Sequence, residues 1–519
     1  MFFITKVNAQ FTTNLPIVII TTPGAIGGNQ IQGTMNIINN VSGVNSPLDP
    51  PTFTGMIGIE QRGNLAYSKI SYTVETWSTP GISLDTSLLG MPSDNDWVLT
   101  GNYPDRSLMR SNLAYFIHDK MGRYAPRNVY CELIVNNQYS GIYDFGETVK
   151  RGAGRLDIAK LTVNDNNGNN LTGGYIWKID DGNGAGWTSA FAPPYAATQT
   201  IDFQYVYPKN SDITSPQKAY IKSYVDSFET EMNSANFQDT LIGWRKHGAV
   251  NSFIDFILVQ ELSRNNEAYR QNNYFYKDKG TKLRPGALWG FDLAWKNTSN
   301  CNSSLDTGWC YNYGGACPSE VKLPPFWWQK LTTDVEFMKE LKCRYTDFRK
   351  PGNVLDTVQI FKTIDSISTK LNANGAITRN FTQWPIWGIP IMNEPTPMAN
   401  DYTTEIANLK SFIKNRLAWI DTKWISANCA WPLYIDTKNI EQLVSIYPIP
   451  AYEEIHVNIS DAQTQIYSII MYDIQGVAVS NIEQAAINNT LNVSTLAKGI
   501  YFLHIQSNNA NMVKKIVVE

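Results

Sequence analysis

The sequence has few charged residues and few histidines, and both shortages narrow the classes of function. Charged residues make up 17% of the 519 residues, below the roughly 25% of an average soluble protein. Lys and Arg total 43 against 46 for Asp and Glu, a net charge of −3. Without a basic surplus, a dedicated nucleic-acid binder is not expected. The four histidines are far apart in sequence, so a metal site built on imidazole is not expected either.

The sequence also lacks a long hydrophobic run. No apolar stretch approaches the roughly 18 residues of a membrane-spanning helix, so no membrane span is predicted. Residues 1–9 are apolar at first and end in small residues of the kind a signal peptidase reads, but they lack a basic start. We interpret them as the remnant of a signal peptide, with a frayed N-terminus as the alternative. The weakly charged composition, in which 12% of residues are aromatic, favours an extracellular protein.

Six cysteines are present without the paired C-x-x-C spacing that zinc sites use. Cys301, Cys310 and Cys317 share one polar loop, whereas Cys131 and the remaining two lie in more regular sequence. Disulfides that close a long loop of an exported protein fit this distribution best. The pairing stays open, and free buried cysteines are the alternative.

Hydrophobic periodicity predicts an α+β main domain over residues 10–436 and a small all-β sandwich over residues 437–519. In the main domain we predict strands first and helices later. The strand predictions are 16–20, a strand–turn–strand over 52–72, a hairpin of 130–135 with 141–145, 173–179, and a hairpin over 273–293. The helix predictions are 106–121, 215–232, 249–262 and most of 324–424. The sandwich is predicted from strands at 455–459, 466–472, 499–505 and 512–518.

The last part of the chain carries a specific succession of motifs. They are Tyr447-Pro448-Ile449-Pro450, Tyr472 to Gly476, Leu496 to Tyr501 and Lys514 to Val518. This succession resembles the C-terminal sorting domain of the bacterial type IX secretion system, with Ile449 replacing the usual Asn. The resemblance implies export to the outer cell surface or the medium, with the type IX machinery as a partner. An ordinary adhesive sandwich is the alternative.

Several familiar chemistries lack their motifs. The chain has no Gly-x-x-x-x-Gly-Lys-Ser/Thr phosphate loop and no Gly-x-Ser-x-Gly nucleophile turn. The glycine-rich stretch 182–186 lies in a loop without the strand-to-helix setting of a dinucleotide site. Paired carboxylates for glycoside hydrolysis stay open. The tryptophans and the export signal leave a carbohydrate-active protein as a weaker hypothesis.

Residues 260–272 are more informative. Glu267 stands five residues before Asn272 at the predicted end of a helix. Protein kinases use this spacing in their catalytic loop, with an acid that orients the hydroxyl and an Asn on the second metal ion. Asp292, predicted to close the following hairpin, offers a carboxylate for metal. The alternative is a helix C-terminus with polar caps, because acid-x4-Asn is common.

A resemblance over residues 14–430 favours the kinase interpretation. The chain is similar to the CotH kinase-like family, which is named for a spore-coat protein and has an atypical protein-kinase fold. The resemblance implies transfer of phosphate from ATP, with Mg²⁺ or Mn²⁺, to Ser or Thr of secreted or surface proteins. The matching pieces, in order, are Leu15 to Ile19, Arg62-Gly63-Asn64 with Lys69, Leu88 to Pro92, Asp96 to Leu99, Arg106 to Ser111, Tyr124 to Arg127, Gly141 to Tyr143, Glu147 with Lys150-Arg151, Arg155 to Ile158, and Leu171 to Asp180.

Within this resemblance, the residues that bind the nucleotide are expected on the early strands. Lys69 is the candidate phosphate cation, and Glu147 is expected to hold it by an ion pair, as in ordinary kinases. Arg151 is a second phosphate candidate. Tyr143 and Trp289 are candidates to stack on adenine. The alternatives are a solvated strand lysine, a surface ion pair and aromatic residues of the core.

The remaining roles fall on the acidic side of the site. Glu267 is expected to orient the attacking hydroxyl, Asp292 to bind metal, and Asn272 to bind a second metal ion. Two positions depart from the family. Glu267 stands where the family has Asp, a displacement of about 1 Å that can cost roughly 100-fold, and Gly290 removes a carboxylate. We expect Asp292 to substitute, because residues two apart in a strand share a face. A catalytically inactive pseudokinase that acts as a surface scaffold or binding protein is therefore the alternative to an active kinase.

Overall fold

The computed structural model describes residues 11–63, 67–181, 184–427, 429, 444–459, 466–475, 477–483, 488–507 and 511–519. The chain forms two compact units, Met1–Cys429 and Ala430–Glu519. The predicted signal-peptide remnant and the predicted boundary at residue 437 lie outside the described residues.

The first unit begins with an eight-stranded sheet. Its order is β3-β2-β1-β7-β8-β6-β4-β5, and an additional pairing of β3 with β4 closes seven of the strands into a ring. Alternate side chains such as Val18, Ile20, Ile57 and Ile59 point inward and form one apolar core. The strands are β1 (Ile17–Thr21), β2 (Ile31–Ile38), β3 (Phe53–Arg62), β4 (Ser71–Thr79), β5 (Ile82–Ser83), β6 (Asp96–Thr100), β7 (Asn128–Val135) and β8 (Gln138–Glu147).

A second, antiparallel sheet follows with the order β10-β11-β9-β12-β13. Its strands are β9 (Tyr175–Ile179), β10 (Gly186–Thr188), β11 (Asp202–Tyr207), β12 (Asn273–Lys277) and β13 (Arg284–Pro285). The described helices of this unit are α1 (Arg110–Lys120), α2 (Ser215–Asn233), α3 (Val250–Ser263), α4 (Tyr313–Ala316), α5 (Phe326–Leu331), α6 (Val335–Phe348), α7 (Thr357–Asn372), α8 (Ala376–Gln383) and α9 (Tyr402–Trp424). Within the part of the chain that the structure describes, no helix has the length and apolar character needed to cross a membrane.

Helix α3 is the central element of this unit. Every residue from Ser252 to Ser263 is buried, including the polar Asp255, Gln260 and Glu261. The neighbours of α3 are α1, α6, α9 and β13. The buried Asp255 carboxylate accepts hydrogen bonds from Arg123 and Arg344, so the charge inside the core is compensated.

The second unit is a β-sandwich. The strands β14 (Val444–Tyr447), β15 (Glu454–Ile459) and β18 (Asn488–Asn492) form one sheet, and β17 (Ala478–Glu483), β16 (Ile466–Tyr472), β19 (Gly499–Ser507) and β20 (Asn511–Val518) form the other. Ile455 and Val457 of the first sheet pack in one cluster with Ile469, Leu503 and Ile505 of the second. The predicted all-β region is confirmed.

The structure confirms the predicted α+β composition and corrects two elements. The helix predicted over 106–121 begins only at Arg110, because Leu108 has a φ of +58° and the Asp105 carboxylate accepts the amide of Arg110 at 2.8 Å. The hairpin predicted over 273–293 ends early, since β13 contains only Arg284–Pro285. Positive φ angles at Gly286, Ala287 and Gly290 are incompatible with a strand. Asp292 therefore lies in a loop, and the prediction that residues 290 and 292 share a strand face is wrong.

Two disulfides are present in the first unit. Cys301 is bonded to Cys317, and Cys343 to Cys429. Cys131 and Cys310 are free and buried. The Cys301 and Cys317 sulfurs lie near the Glu320 carboxylate, but a disulfide has no thiolate with which to bind a metal ion.

Candidate functional site

The candidate site begins where α3 ends. Arg264 takes the left-handed conformation, with φ 51° and ψ 42°, and its amide bonds to the Gln260 carbonyl. Asn265 then joins three segments. Its side-chain amide donates to Gln260 Oε1 and to the Gly290 carbonyl, both at 3.2 Å, and its Oδ1 accepts the amide of Glu267 at 3.1 Å. The buried Asn265 thus fixes the segment of Glu267 against the loop of Gly290.

Glu267 and Asn272 are in direct contact. Asn272 Nδ2 donates to Glu267 Oε2 at 2.7 Å, and Asn273 Nδ2 donates to the Glu267 carbonyl at 3.0 Å. Asn272 itself has a φ of +54°, which turns the chain sharply into β12. Among the described residues, no donor is hydrogen-bonded to Asn272 Oδ1, so this oxygen is free to accept a ligand.

The second half of the site is the loop from Gly290 to Asp292, held by α1. Ser111 Oγ accepts the amide of Phe291 at 3.3 Å, and the Tyr115 ring packs edge-on against the ring of Phe291. The carbonyl of Asp292 accepts Asn297 Nδ2 at 2.7 Å. These bonds leave the half-buried Asp292 carboxylate beside the Glu267 segment.

The site carries excess negative charge. Burial, followed by the charges of Asp292 and Asp180, raises the pKa of Glu267 to about 7. Burial and the nearby Asp105 raise the pKa of Asp292 to about 6. Carboxylates grouped in this way bind a proton or a cation more readily than isolated ones.

The residues present fit a divalent cation of the magnesium or manganese class. Two carboxylates and the free Asn272 Oδ1 offer only oxygen donors, the ligands that these hard cations prefer. Asp292 and Asn272 would hold the ion, with Glu267 next to Asn272. Three of the seven residues predicted for the site, Glu267, Asn272 and Asp292, are therefore grouped together.

Lys69 is placed differently from the expectation. It is 3% exposed, and its Nζ donates to the Ile142 carbonyl at 2.6 Å and to Asn380 Oδ1 at 3.0 Å. Its ammonium group lies 4.9 Å from the centre of the Tyr143 ring. Burial lowers the pKa of Lys69 to about 7. Its contacts are thus with β8 and α8, and among the described residues none joins it to Glu267, Asn272 or Asp292.

Glu147 and Arg151 also have other partners. The buried Glu147 carboxylate accepts Arg127 Nε at 3.0 Å and Nη2 at 2.6 Å, so the expected pair with Lys69 is not formed. The Arg151 guanidinium lies 5.5 Å from the centre of the Tyr207 ring. Arg127 is well placed to bind Glu147 because it directly precedes β7, whose partner β8 ends at Glu147.

Tyr143 is part of the apolar core of the eight-stranded sheet. It is 1% exposed, its hydroxyl donates to the Ile70 carbonyl at 2.9 Å, and its ring stacks with that of Tyr72. In this position its ring faces Lys69 and Tyr72. The alternative of a core aromatic residue matches its position.

Two further acids, Asp180 and Asp144, were not predicted from the sequence as site residues. Asp180 follows β9, pairs with Lys178 and raises the pKa of Glu267. Asp144 is buried in β8, where it accepts Asn102 Nδ2 at 2.6 Å and Asn112 Nδ2 at 3.0 Å. The sequence could have indicated Asp180, because an acid that directly follows a predicted strand is well placed to line a site. Asp144 gave no signal, since it lies within an apolar strand.

Comparisons with known proteins identify the family of each part of the chain. The family model "CotH kinase protein" matches residues 59–420, more than half of the chain, and the model "Secretion system C-terminal sorting domain" matches residues 445–519. A comparison with curated proteins gave no match. The sorting domain indicates type IX secretion to the cell surface or the outside. The chain thus belongs to the CotH kinase protein family and ends in a type IX secretion sorting domain.

Proposed function

We propose that this protein is an exported atypical protein kinase that transfers the γ-phosphate of ATP to Ser or Thr of secreted or surface proteins. The observation that carries the proposal is the grouping of Glu267, Asn272 and Asp292 at the end of α3. Family membership supports it. On this proposal the first unit is a kinase-like domain, with the strand-rich part before the helical part.

The proposed reaction follows from the chemistry of these groups. The hydroxyl oxygen of the acceptor forms a bond to the γ-phosphorus while the bond from that phosphorus to the β–γ bridging oxygen breaks and ADP leaves. Glu267 orients the hydroxyl and receives its proton. Asp292 and Asn272 Oδ1 would hold the divalent ion, and the bound ion would supply positive charge to the phosphates of ATP.

Calorimetric titration of the full chain with ATP, with Mg²⁺ and then with EDTA, tests the proposal. We expect saturable binding that depends on the metal. Asp292→Asn should weaken binding by about tenfold or more, because a charged ligand contributes about 1.5–3 kcal/mol. Glu267→Gln should abolish transfer of labelled phosphate to a generic protein acceptor while ATP still binds.

A matched control is Asp365→Asn, which changes an exposed carboxylate that pairs with Lys410. It should leave ATP binding and transfer unchanged. Absence of ATP binding up to millimolar concentration, in a folded protein, would overturn the proposal and favour an inactive scaffold. Binding without transfer by the unmodified chain would favour a nucleotide-binding pseudokinase.

A further inference from the structure

Arg62, at the end of β3, is a half-buried cation without an anion. Its guanidinium carbon lies 5.0 Å from the centre of the Trp289 ring, and burial lowers its pKa. Among the described residues no carboxylate lies within ion-pair distance of Arg62, and no acceptor takes a hydrogen bond from it. A guanidinium has five N–H donors, and leaving them unpaired in a partly buried place is costly. The site therefore lacks an anion at this position.

Arg62 belongs to the same site as the acids. Trp289, whose ring lies under its guanidinium, directly precedes Gly290. The hydroxyl of Tyr115 lies within electrostatic range of both Arg62 and Asp292. The side of Glu267 and Asp292 thus lacks a cation, and the side of Arg62 lacks an anion. A ligand that combines a metal ion with phosphate would supply both charges.

The position of Arg62 leaves it able to bind such a ligand. Its guanidinium carbon lies over the Trp289 ring, and no described acceptor takes a hydrogen bond from its N–H groups, so these groups are available. These N–H groups match the oxygens of a phosphate in a bidentate manner. Lys69 has no such freedom, because the Ile142 carbonyl and Asn380 already bind its ammonium group.

We infer that Arg62, and not Lys69, supplies the cation that binds the phosphates of the nucleotide. The inference rests on the proposed function and refines it, since it assigns the phosphate contact to the end of β3. Trp289 positions the guanidinium, and Lys69 becomes a structural residue that joins β8 to α8.

The experiment compares affinities for Mg-ATP and adenosine in the full chain and in Arg62→Gln. The unmodified protein should prefer Mg-ATP to adenosine. Arg62→Gln should lose about 10- to 100-fold in Mg-ATP affinity, as expected for a lost charge-assisted contact, while adenosine affinity stays the same. Arg62→Lys should fall between them, because it keeps the charge but not the fork of donors.

The control is Lys423→Gln, which removes a cation placed 5.8 Å from the ring of Trp419 on α9. It should leave Mg-ATP affinity unchanged. If Arg62→Gln is poorly folded, Mg-tripolyphosphate provides the second measurement: it should raise the melting temperature of the unmodified protein, and raise it less in Arg62→Lys.

The two proposals fail in different ways. If the unmodified chain binds Mg-ATP and Arg62→Gln binds it equally well, the assignment of Arg62 is wrong while the kinase proposal stands. Equal loss of adenosine and Mg-ATP affinity would also overturn the assignment, because it would indicate damage to the whole site. If the unmodified chain binds no nucleotide and tripolyphosphate does not stabilise it, both proposals are overturned.

Discussion

The carboxylate of Glu267 lies against the backbone of Gly290. A Cβ atom at position 290 would come within 2.7 Å of Glu267 Oε2 and equally close to Asn272 Nδ2. Gly290 also has a φ of +71°, which side chains rarely adopt. The end of the Glu267 side chain therefore occupies the space that a side chain at position 290 would need. The longer acid at 267 and the glycine at 290 fit each other in packing.

This relationship makes Gly290→Ala a sharp test of the site. The left-handed conformation alone costs about 1 kcal/mol, and the contacts with Glu267 and Asn272 should displace both groups. We expect Mg-ATP affinity to fall by about tenfold in calorimetric titrations. Gly81→Ala is the control, since Gly81 has a φ of +75° with no atom within 4 Å of the added carbon. It should lower stability by a similar 1 kcal/mol and leave affinity unchanged; equal affinities in both variants would contradict the prediction.

A double substitution tests whether the two positions are coupled. Gly290→Asp alone should disrupt the site, because the new side chain meets the end of Glu267. Combined with Glu267→Asp, which shortens the acid by one methylene, the same change should be tolerated. We expect the double variant to bind Mg-ATP at least tenfold more tightly than Gly290→Asp; with no loss from Glu267→Asp alone, this difference is a coupling of about 1.4 kcal/mol in a double-mutant cycle. Additive losses would show that the positions act independently.

Glu147→Gln should affect stability more than nucleotide binding. Its buried carboxylate binds Arg127 through two nitrogens and accepts the Arg127 amide at 3.0 Å. Removing the charge should lower the free energy of unfolding by about 1–3 kcal/mol. Mg-ATP affinity, measured on the folded protein, should change less than about twofold, well below the tenfold that a lost charged contact costs. A tenfold loss of affinity with unchanged melting temperature would instead support the kinase-like role first expected for Glu147.

Local patterns in the sequence predicted the elements but not the long-range contacts. Helices α2 and α3 follow from hydrophobic spacing, and they were found within one residue of the predicted bounds. The Glu267 segment was found because it directly follows such a helix. The contacts of Lys69 were not predicted because its partner Asn380 is 311 residues away, and no periodicity along a strand indicates which distant helix will cover it.

Local sequence patterns also do not predict the surroundings of Asp292 and Arg62. A hairpin was predicted through residue 293 because the residues there are apolar. Ala287, however, has a positive φ, which is uncommon for alanine and is not predicted from the residue type. The spacing of Arg62 and Lys69 in the sequence says nothing about their burial or their partners. Only the structure reveals that, among the described residues, no acceptor binds the Arg62 guanidinium, whereas two bind the Lys69 ammonium group.

His118 should make stability depend on pH. It is buried in α1 with Nδ1 3.2 Å from the Tyr124 carbonyl, and burial lowers its pKa from 6.5 to about 4, with Asp255 and Arg123 as the nearest charges. The unfolded chain therefore takes up this proton at higher pH than the folded protein does. As pH falls from 6.5 to 4, the folded state should lose about 3 kcal/mol through this group. Denaturant unfolding across this range should give a weaker pH dependence in His118→Gln; parallel profiles would contradict the prediction.

The disulfide between Cys301 and Cys317 should matter for the site as well as for stability. The loop that it closes places the amides of Cys310 and Tyr311 on the buried Glu261 carboxylate at 2.7 and 3.1 Å, and Glu261 lies in the last turn of α3, before the Glu267 segment. Opening this loop with a Cys301→Ser, Cys317→Ser double variant should lower the free energy of unfolding by about 3 kcal/mol and weaken Mg-ATP binding several-fold.

The second disulfide provides the matched comparison. Cys343 and Cys429 are 86 residues apart in sequence and join α6 to the end of the first unit. Replacing both with Ser should cost more stability, about 4–5 kcal/mol, because the closed loop is longer. Mg-ATP affinity at a temperature where the protein is folded should nevertheless stay unchanged, since neither cysteine contacts the Glu261 network. If both double variants lose affinity equally, the Cys301–Cys317 loop has no specific role in supporting α3, and its effect is one of stability alone.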